Sequence, residues 1–183
     1  MAFEYDKAGY HRAIVRVDSP DEPLWAAISA NAPGQIMHEL FGDETHVQRG
    51  YFPETLRPRN IWTHHDAGGP NLQSLWYSWT PAGELDYRHD QLHGQIESFE
   101  YDDARRLVEA SANVGPAILT QTVEYDAYGN IEYKSDVGAY AYDAGGRLTS
   151  YGPPLTTLGY DANGNVTARG AQTLTYTPFE KVR

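Results

Sequence analysis

Apolar and polar residues alternate in short runs along this chain, and a recurring set of letters breaks the runs. In "VEYDAYGNI", Val123, Tyr125 and Ile131 are apolar, and Asp126 and Gly129 stand between the arms. "YAYDAGGRL" repeats the scheme with Tyr140, Tyr142, Asp143, Gly146 and Leu148, and "LGYDANGNV" with Leu158, Tyr160, Asp161, Gly164 and Val166. Alternation with period two predicts strands with one apolar face. Asp opening a type I turn accepts hydrogen bonds from nearby backbone N–H groups. Gly three places later supplies the left-handed backbone that closes the hairpin. In that register each anchor tyrosine lies opposite the aliphatic residue six places on, and both point to one face.

The same template runs outward with substitutions. "FEYDDARRL" carries Tyr101, Asp102 and Leu107, with Arg105 at the glycine position. "YSWTPAGEL" has Trp79 as anchor, Thr80 in place of Asp, then Gly83 and Leu85. "ISANAPGQI" has Ala30, Asn31, Gly34 and Ile36, and "FEYDKAGYH" has Tyr5, Asp6, Gly9 and His11. "LTYTPFEKV" ends the series with Tyr176, Glu180 at the glycine position, and Val182. Tyr51 and Tyr87 are expected to open further hairpins with longer loops. The anchors Tyr101, Tyr125, Tyr142, Tyr160 and Tyr176 are 24, 17, 18 and 16 residues apart. That spread fits hairpins of unequal arm length rather than a solenoid of fixed period.

The expected fold is all-β: an array of antiparallel hairpins in one spiralling, curved sheet that makes a partial shell. A single repeat region is expected over residues 1–183, clearest over 97–183. Residues 16–27, with two prolines, are the expected irregular connection.

Composition narrows the function. The 183 residues include 14 tyrosines and 13% aromatics, which argues against disorder. A formal net charge of -11 argues against nucleic acid or an anionic membrane surface as the main partner. With no cysteine, disulfides, thiolate metal sites and a cysteine nucleophile are excluded. No run approaches the ~20 apolar residues that span a bilayer. "MAFEYDKAGY" lacks the basic stretch and apolar core of a secretory signal, so export is expected by another route, or the chain is an excerpt.

The motifs "YDAYGNI", "YDAGGRL" and "YDANGNV" resemble the YD repeats of Rhs proteins, and "LTYTPFEKV" is similar to a variant found near the end of such arrays. The resemblance covers essentially the whole chain. It implies hairpins that spiral into a hollow shell. In bacterial Rhs toxins and insecticidal toxin complexes that shell encloses a C-terminal toxic domain; in teneurins a similar shell is an extracellular adhesion scaffold. The plug motif of the toxins contains Asp-Pro, and no Asp-Pro pair occurs here. The resemblance therefore implies a shell segment of a secreted toxin, without cleavage machinery. Its expected partners are the rest of the shell and its cargo, or other copies through open sheet edges.

Three groups carry possible chemistry. His64, His65 and Asp66 adjoin in "THHDAGG", but neighbouring strand residues face opposite ways and cannot readily share a metal. His89, Asp90 and His93 in "RHDQLHG" would converge on a helix, whereas the surroundings read as hairpin. Asp161, Asn163 and Asn165 partly match a calcium loop, with the glycine misplaced and no bidentate Glu. Turn Asp residues could pair as glycosidase acids, but nothing selects a pair. We expect no catalytic residue, cofactor or metal. The rival expectation is an extracellular or cell-surface module that binds glycan or protein, which aromatics exposed on the face opposite the anchors would favour.

Overall fold

The computed structural model describes residues 1–19, 21–65, 71–177 and 181–182. It is a seventeen-stranded antiparallel sheet, and no described residue is helical. By compactness the chain divides into two units, Met1–Ser98 with Ala112–Ile118, and Phe99–Ser111 with Leu119–Arg183. Hairpin arrays touch only their neighbours, so a long array has no single shared core to hold it as one unit.

In the first unit the chain meanders through β1 (Ala2–Tyr5), β2 (His11–Val15), β3 (Pro23–Ala30), β4 (Ile36–Phe41), β5 (Thr45–Tyr51), β6 (Pro58–His65), β7 (Asn71–Trp79) and β8 (Leu85–Asp90), and β9 (Gln95–Tyr101) begins in it and ends in the second. Each strand from β1 to β8 pairs with the next in the chain. The irregular connection is shorter than the expected 16–27. Pro23 begins β3 and pairs with Val15 at a bulge, where a missing N–H is tolerated. Tyr51 opens a hairpin, paired with Pro58. Tyr87 does not: it sits inside β8, opposite Ser78 and Ser98, and the chain turns only after Asp90.

After β10 (Leu107–Val114), the second unit continues through β11 (Ala117–Tyr125), β12 (Ile131–Lys134), β13 (Gly138–Tyr142), β14 (Leu148–Tyr151), β15 (Thr156–Tyr160), β16 (Val166–Arg169) and β17 (Gln172–Thr173). From β11 on, successive strands pair antiparallel. Among the described residues the buried apolar side chains are Ala13, Val15 and Val123 alone, and none is fully sealed from water. Stability therefore comes from half-buried side chains on the two faces of a sheet rather than from a closed core.

Candidate functional site

The repeated hairpin corner is the unit from which the molecule is built. Tyr125 pairs with Ile131, Tyr142 with Leu148, Tyr160 with Val166, Trp79 with Leu85, Tyr5 with His11 and Ala30 with Ile36, each beside a bulge. An isolated bridge joins Tyr176 to Val182. At each corner the N–H of the first turn residue donates to the carbonyl four places on, and the N–H three places on donates back. This holds at Asp126, Asp143, Asp161, Asp102, Asp6, Asn31 and Thr80.

The aspartate side chain closes the corner. Asp126 Oδ1 accepts the backbone N–H of Tyr128 and Asn130, both at 2.9 Å, and Oδ2 accepts Asn130 Nδ2 at 2.9 Å. Asp161 repeats this with Asn163 and Asn165. Asp143 and Asp102 instead bind an arginine, Arg147 Nε at 2.9 Å and Arg106 Nε at 2.8 Å. All four carboxyls are held below the usual range. The side-chain amides of Asn130 and Asn165 dominate at Asp126 and Asp161, and the backbone N–H of the arginine dominates at Asp143 and Asp102. The glycines are needed for shape: Gly129, Gly146 and Gly164 have φ of 90°, 78° and 87°. Arg105 takes the same place at φ 64°.

The anchor's hydroxyl makes the link between hairpins. Tyr125 Oη donates to the carbonyl of Leu107 at 2.9 Å, Tyr142 to Ile131 at 2.9 Å, Tyr160 to Leu148 at 2.7 Å and Tyr176 to Val166 at 2.8 Å. In every case the acceptor is the aliphatic residue that closes the preceding hairpin. The first unit varies the scheme: Tyr51 donates to Ile36 at 3.1 Å, and Trp79 Nε1 to Pro58 at 2.8 Å. Three arginines from a preceding corner also lie over the next ring, Arg106 on Tyr125, Arg147 on Tyr160 and Arg57 on Trp79, at 4.4, 5.4 and 5.5 Å. Hydroxyl and arginine together stitch one corner to the next. Sequence reading did not anticipate the hydroxyl bond, although Tyr rather than Phe at four successive anchors was its signal.

The histidine candidates are separated by the sheet. His64 pairs with His46 on one face, and His65 pairs with Thr45 on the other; Asp66 lies outside the described residues. His64 instead joins His46 and His38 across β4, β5 and β6. Ring centroids are 5.2 Å apart for His38–His46 and 5.0 Å for His46–His64. His38 Nε2 and His46 Nδ1 are hydrogen-bonded at 2.9 Å, so the accepting ring is neutral. Burial lowers the His38 pKa, and the charges of His46 and His64 add to the effect. His93 Nδ1 meets Asp90 Oδ2 at 2.7 Å in the turn after β8, while His89 points to the other face, paired with Trp76 and Ile96. The contact with His93 is the main reason the Asp90 carboxyl lies low. Among the described residues no three His, Cys, Asp or Glu side chains are grouped to hold a metal ion.

Glu39 is a further polar centre that sequence reading missed. It is 7% exposed and accepts Trp25 Nε1 at 2.9 Å and Arg49 Nη2 at 2.5 Å.

No family model matches the chain. Among solved structures it is similar to the crystal structures of TcdB2-TccC3-TEV and of TcdB2-TccC3 without its hypervariable C-terminal region. Each match has a TM-score of 0.59 at 18% identity and covers 99% of this chain. This chain spans 11% of the length of each of those chains. The hairpin array therefore has the fold of a segment of TcdB2-TccC3.

Proposed function

We propose that the chain is a structural segment of a secreted Rhs-type toxin, forming part of the wall of a shell around a C-terminal toxic polypeptide. The carrying observation is the ladder of anchor hydroxyls, each bound to the preceding hairpin's carbonyl. Such a ladder has no intrinsic end and so suits a wall that grows hairpin by hairpin. The likeness to TcdB2-TccC3, which itself has a hypervariable C-terminal region, supports the reading. In this account no residue does covalent chemistry: turn aspartates and glycines set register, anchors join hairpins, and the wall keeps proteases from the cargo. Its partners are the remaining shell hairpins and the enclosed polypeptide.

The test uses the full-length natural protein. Its C-terminal region should survive a protease dose that digests the same region expressed alone. Deleting the segment described here should abolish the protection. Equal digestion with and without the segment would overturn the reading.

A further inference from the structure

The four aspartate corners of the second unit alternate in the residue that closes the turn. Arg106 and Arg147 stand four places after Asp102 and Asp143, and Asn130 and Asn165 stand four places after Asp126 and Asp161. All four bind the Oδ2 of their aspartate. The arginines reach further. Arg106 places Nε 2.8 Å and Nη2 2.7 Å from Asp102 Oδ2, and its guanidinium lies 4.4 Å from the ring centre of Tyr125, the next anchor. Arg147 spans Asp143 and Tyr160 in the same way, at 5.4 Å from the ring. A carboxylate on one side and the negative face of a ring on the other make a seat for a planar cation. Asparagine does not fill that seat. Its side chain ends at the carboxylate, with Asn130 Nδ2 2.9 Å from Asp126 Oδ2, and it is uncharged.

Beyond Asn130 the same place is a cleft of about 850 Å³. The hairpin of β11 and β12 lends it Asp126, Asn130 and Glu132, and the hairpin of β13 and β14 lends Tyr140, Tyr142 and Asp143. Tyr142 is the anchor that follows Asn130, as Tyr125 follows Arg106 and Tyr160 follows Arg147. Burial raises its pKa and the charge of Asp126 adds to the effect, which places carboxylate and ring together. Arg147 balances Asp143, whereas Asp126 accepts neutral donors and Glu132 adds a further negative charge. Among the described residues no Lys or Arg lines the cleft.

We propose that this cleft is a binding site for a guanidinium group, supplied as the arginine side chain of another polypeptide. The neighbouring corners show such a group in place, held between the same carboxylate and the same anchor ring by the chain's own arginine. A guanidinium can donate edge-on to Asp126 and lie flat on Tyr142 at once, while an ammonium group is a compact point charge that lacks the planar face. The cleft is larger than a guanidinium alone and leaves room for the rest of an arginine residue. Neutral and anionic side chains gain nothing from Asp126 and Glu132.

This site is independent of the shell reading, and either can fail alone. The test titrates N-acetylarginine amide into the full, nitrogen-15-labelled chain at about 0.15 M salt, where diffuse attraction to the acidic surface is screened. Backbone amide shifts at residues 126–146 should saturate with a Kd on the order of 10 mM or tighter. The neutral isostere N-acetylcitrulline amide should give no saturable shift, and N-acetyllysine amide should bind more weakly than the arginine compound. Asn130→Arg fills the seat from within, as at the neighbouring corners, and should weaken binding at least about tenfold. Glu132→Gln should weaken it about threefold. Asn165→Arg, at the other asparagine corner, should leave it unchanged. Amide spectra of the unliganded variants identify those that fold. Absence of a saturable shift, equal binding of the citrulline or lysine compound, or binding unaltered in folded Asn130→Arg would overturn the proposal.

Discussion

The two units keep the same anchor register and present opposite kinds of second face. Behind the anchors of the second unit the paired residues are mostly small or polar: Ala139 opposite Tyr133, Ala141 opposite Ser150, Ser150 opposite Thr157, Gly159 opposite Ala168, Ala168 opposite Thr173. Behind those of the first unit stand His38, His46, His64, Trp62, Trp76 and Tyr87. The corners differ in the same sense. Four of the second unit's corners are near copies built on Asp, at Asp102, Asp126, Asp143 and Asp161, whereas the first unit keeps Asp only at Asp6 among the corners of this kind and elsewhere uses Asn31, Thr80 and the longer loop after Tyr51. One face therefore suffices to specify a hairpin array, and the other is free to diverge. The second unit shows the repeat nearly bare, and the first shows what can be added to it.

The largest expected difference lies at Glu39; among the described residues of the second unit no charged side chain is buried in this way. Glu39→Ala leaves the Arg49 guanidinium and the Trp25 N–H without their partner, and should cost about 2–3 kcal/mol. Chemical denaturation followed by tryptophan fluorescence checks this; a loss under about 0.5 kcal/mol would place the first unit's stability elsewhere.

Acid should separate the units next. The folded pKa of His38 is below its unfolded value, so the neutral ring is the one the fold accepts. Stability is then full above about pH 6.5 and falls as the pH drops through that value toward the folded one. The lowered Asp102, Asp126, Asp143 and Asp161 act in a different window, contributing above about pH 3.9 and losing their contribution below it. Amide exchange, corrected for its intrinsic pH dependence, should show β4–β6 losing protection between pH 7 and 5 while β12–β16 hold. Simultaneous loss in both would erase the distinction.

Smaller effects sharpen the account of the repeat itself. Tyr142→Phe removes one hydroxyl bond and leaves the Ile131 carbonyl to find water, at about 1 kcal/mol, measurable as a shift in denaturation midpoint. Arg105→Gly should stabilise by about 0.5 kcal/mol. It relieves a left-handed non-glycine residue at about 1–2 kcal/mol and costs about 0.5–1 kcal/mol in chain entropy. Thermal melting would show the sign.

The corners were legible because their chemistry is local: Asp126 and Gly129 act on atoms within a few residues of themselves. For the same reason Arg105 could be placed by position, although its type argued against it. The hydroxyl ladder was not legible. Tyr142 reaches a carbonyl eleven residues away, and only the register between hairpins says which one. The histidine stack needed more still, since His38, His46 and His64 meet only through two successive pairings that involve the least regular corners. The limit of the irregular segment was misjudged at Pro23, because a proline that opens a strand looks the same in sequence as one that prevents it.

The central claim is that anchor hydroxyls bind hairpin to hairpin, and the direct test replaces Tyr125, Tyr142, Tyr160 and Tyr176 together by Phe. Rings and apolar area stay; four hydrogen bonds go. Amide exchange by mass spectrometry should show protection falling by about an order of magnitude across β12–β16, with β4–β8 unchanged. Unaltered protection in β12–β16 would contradict the claim and leave the fold to turn chemistry and ring packing alone.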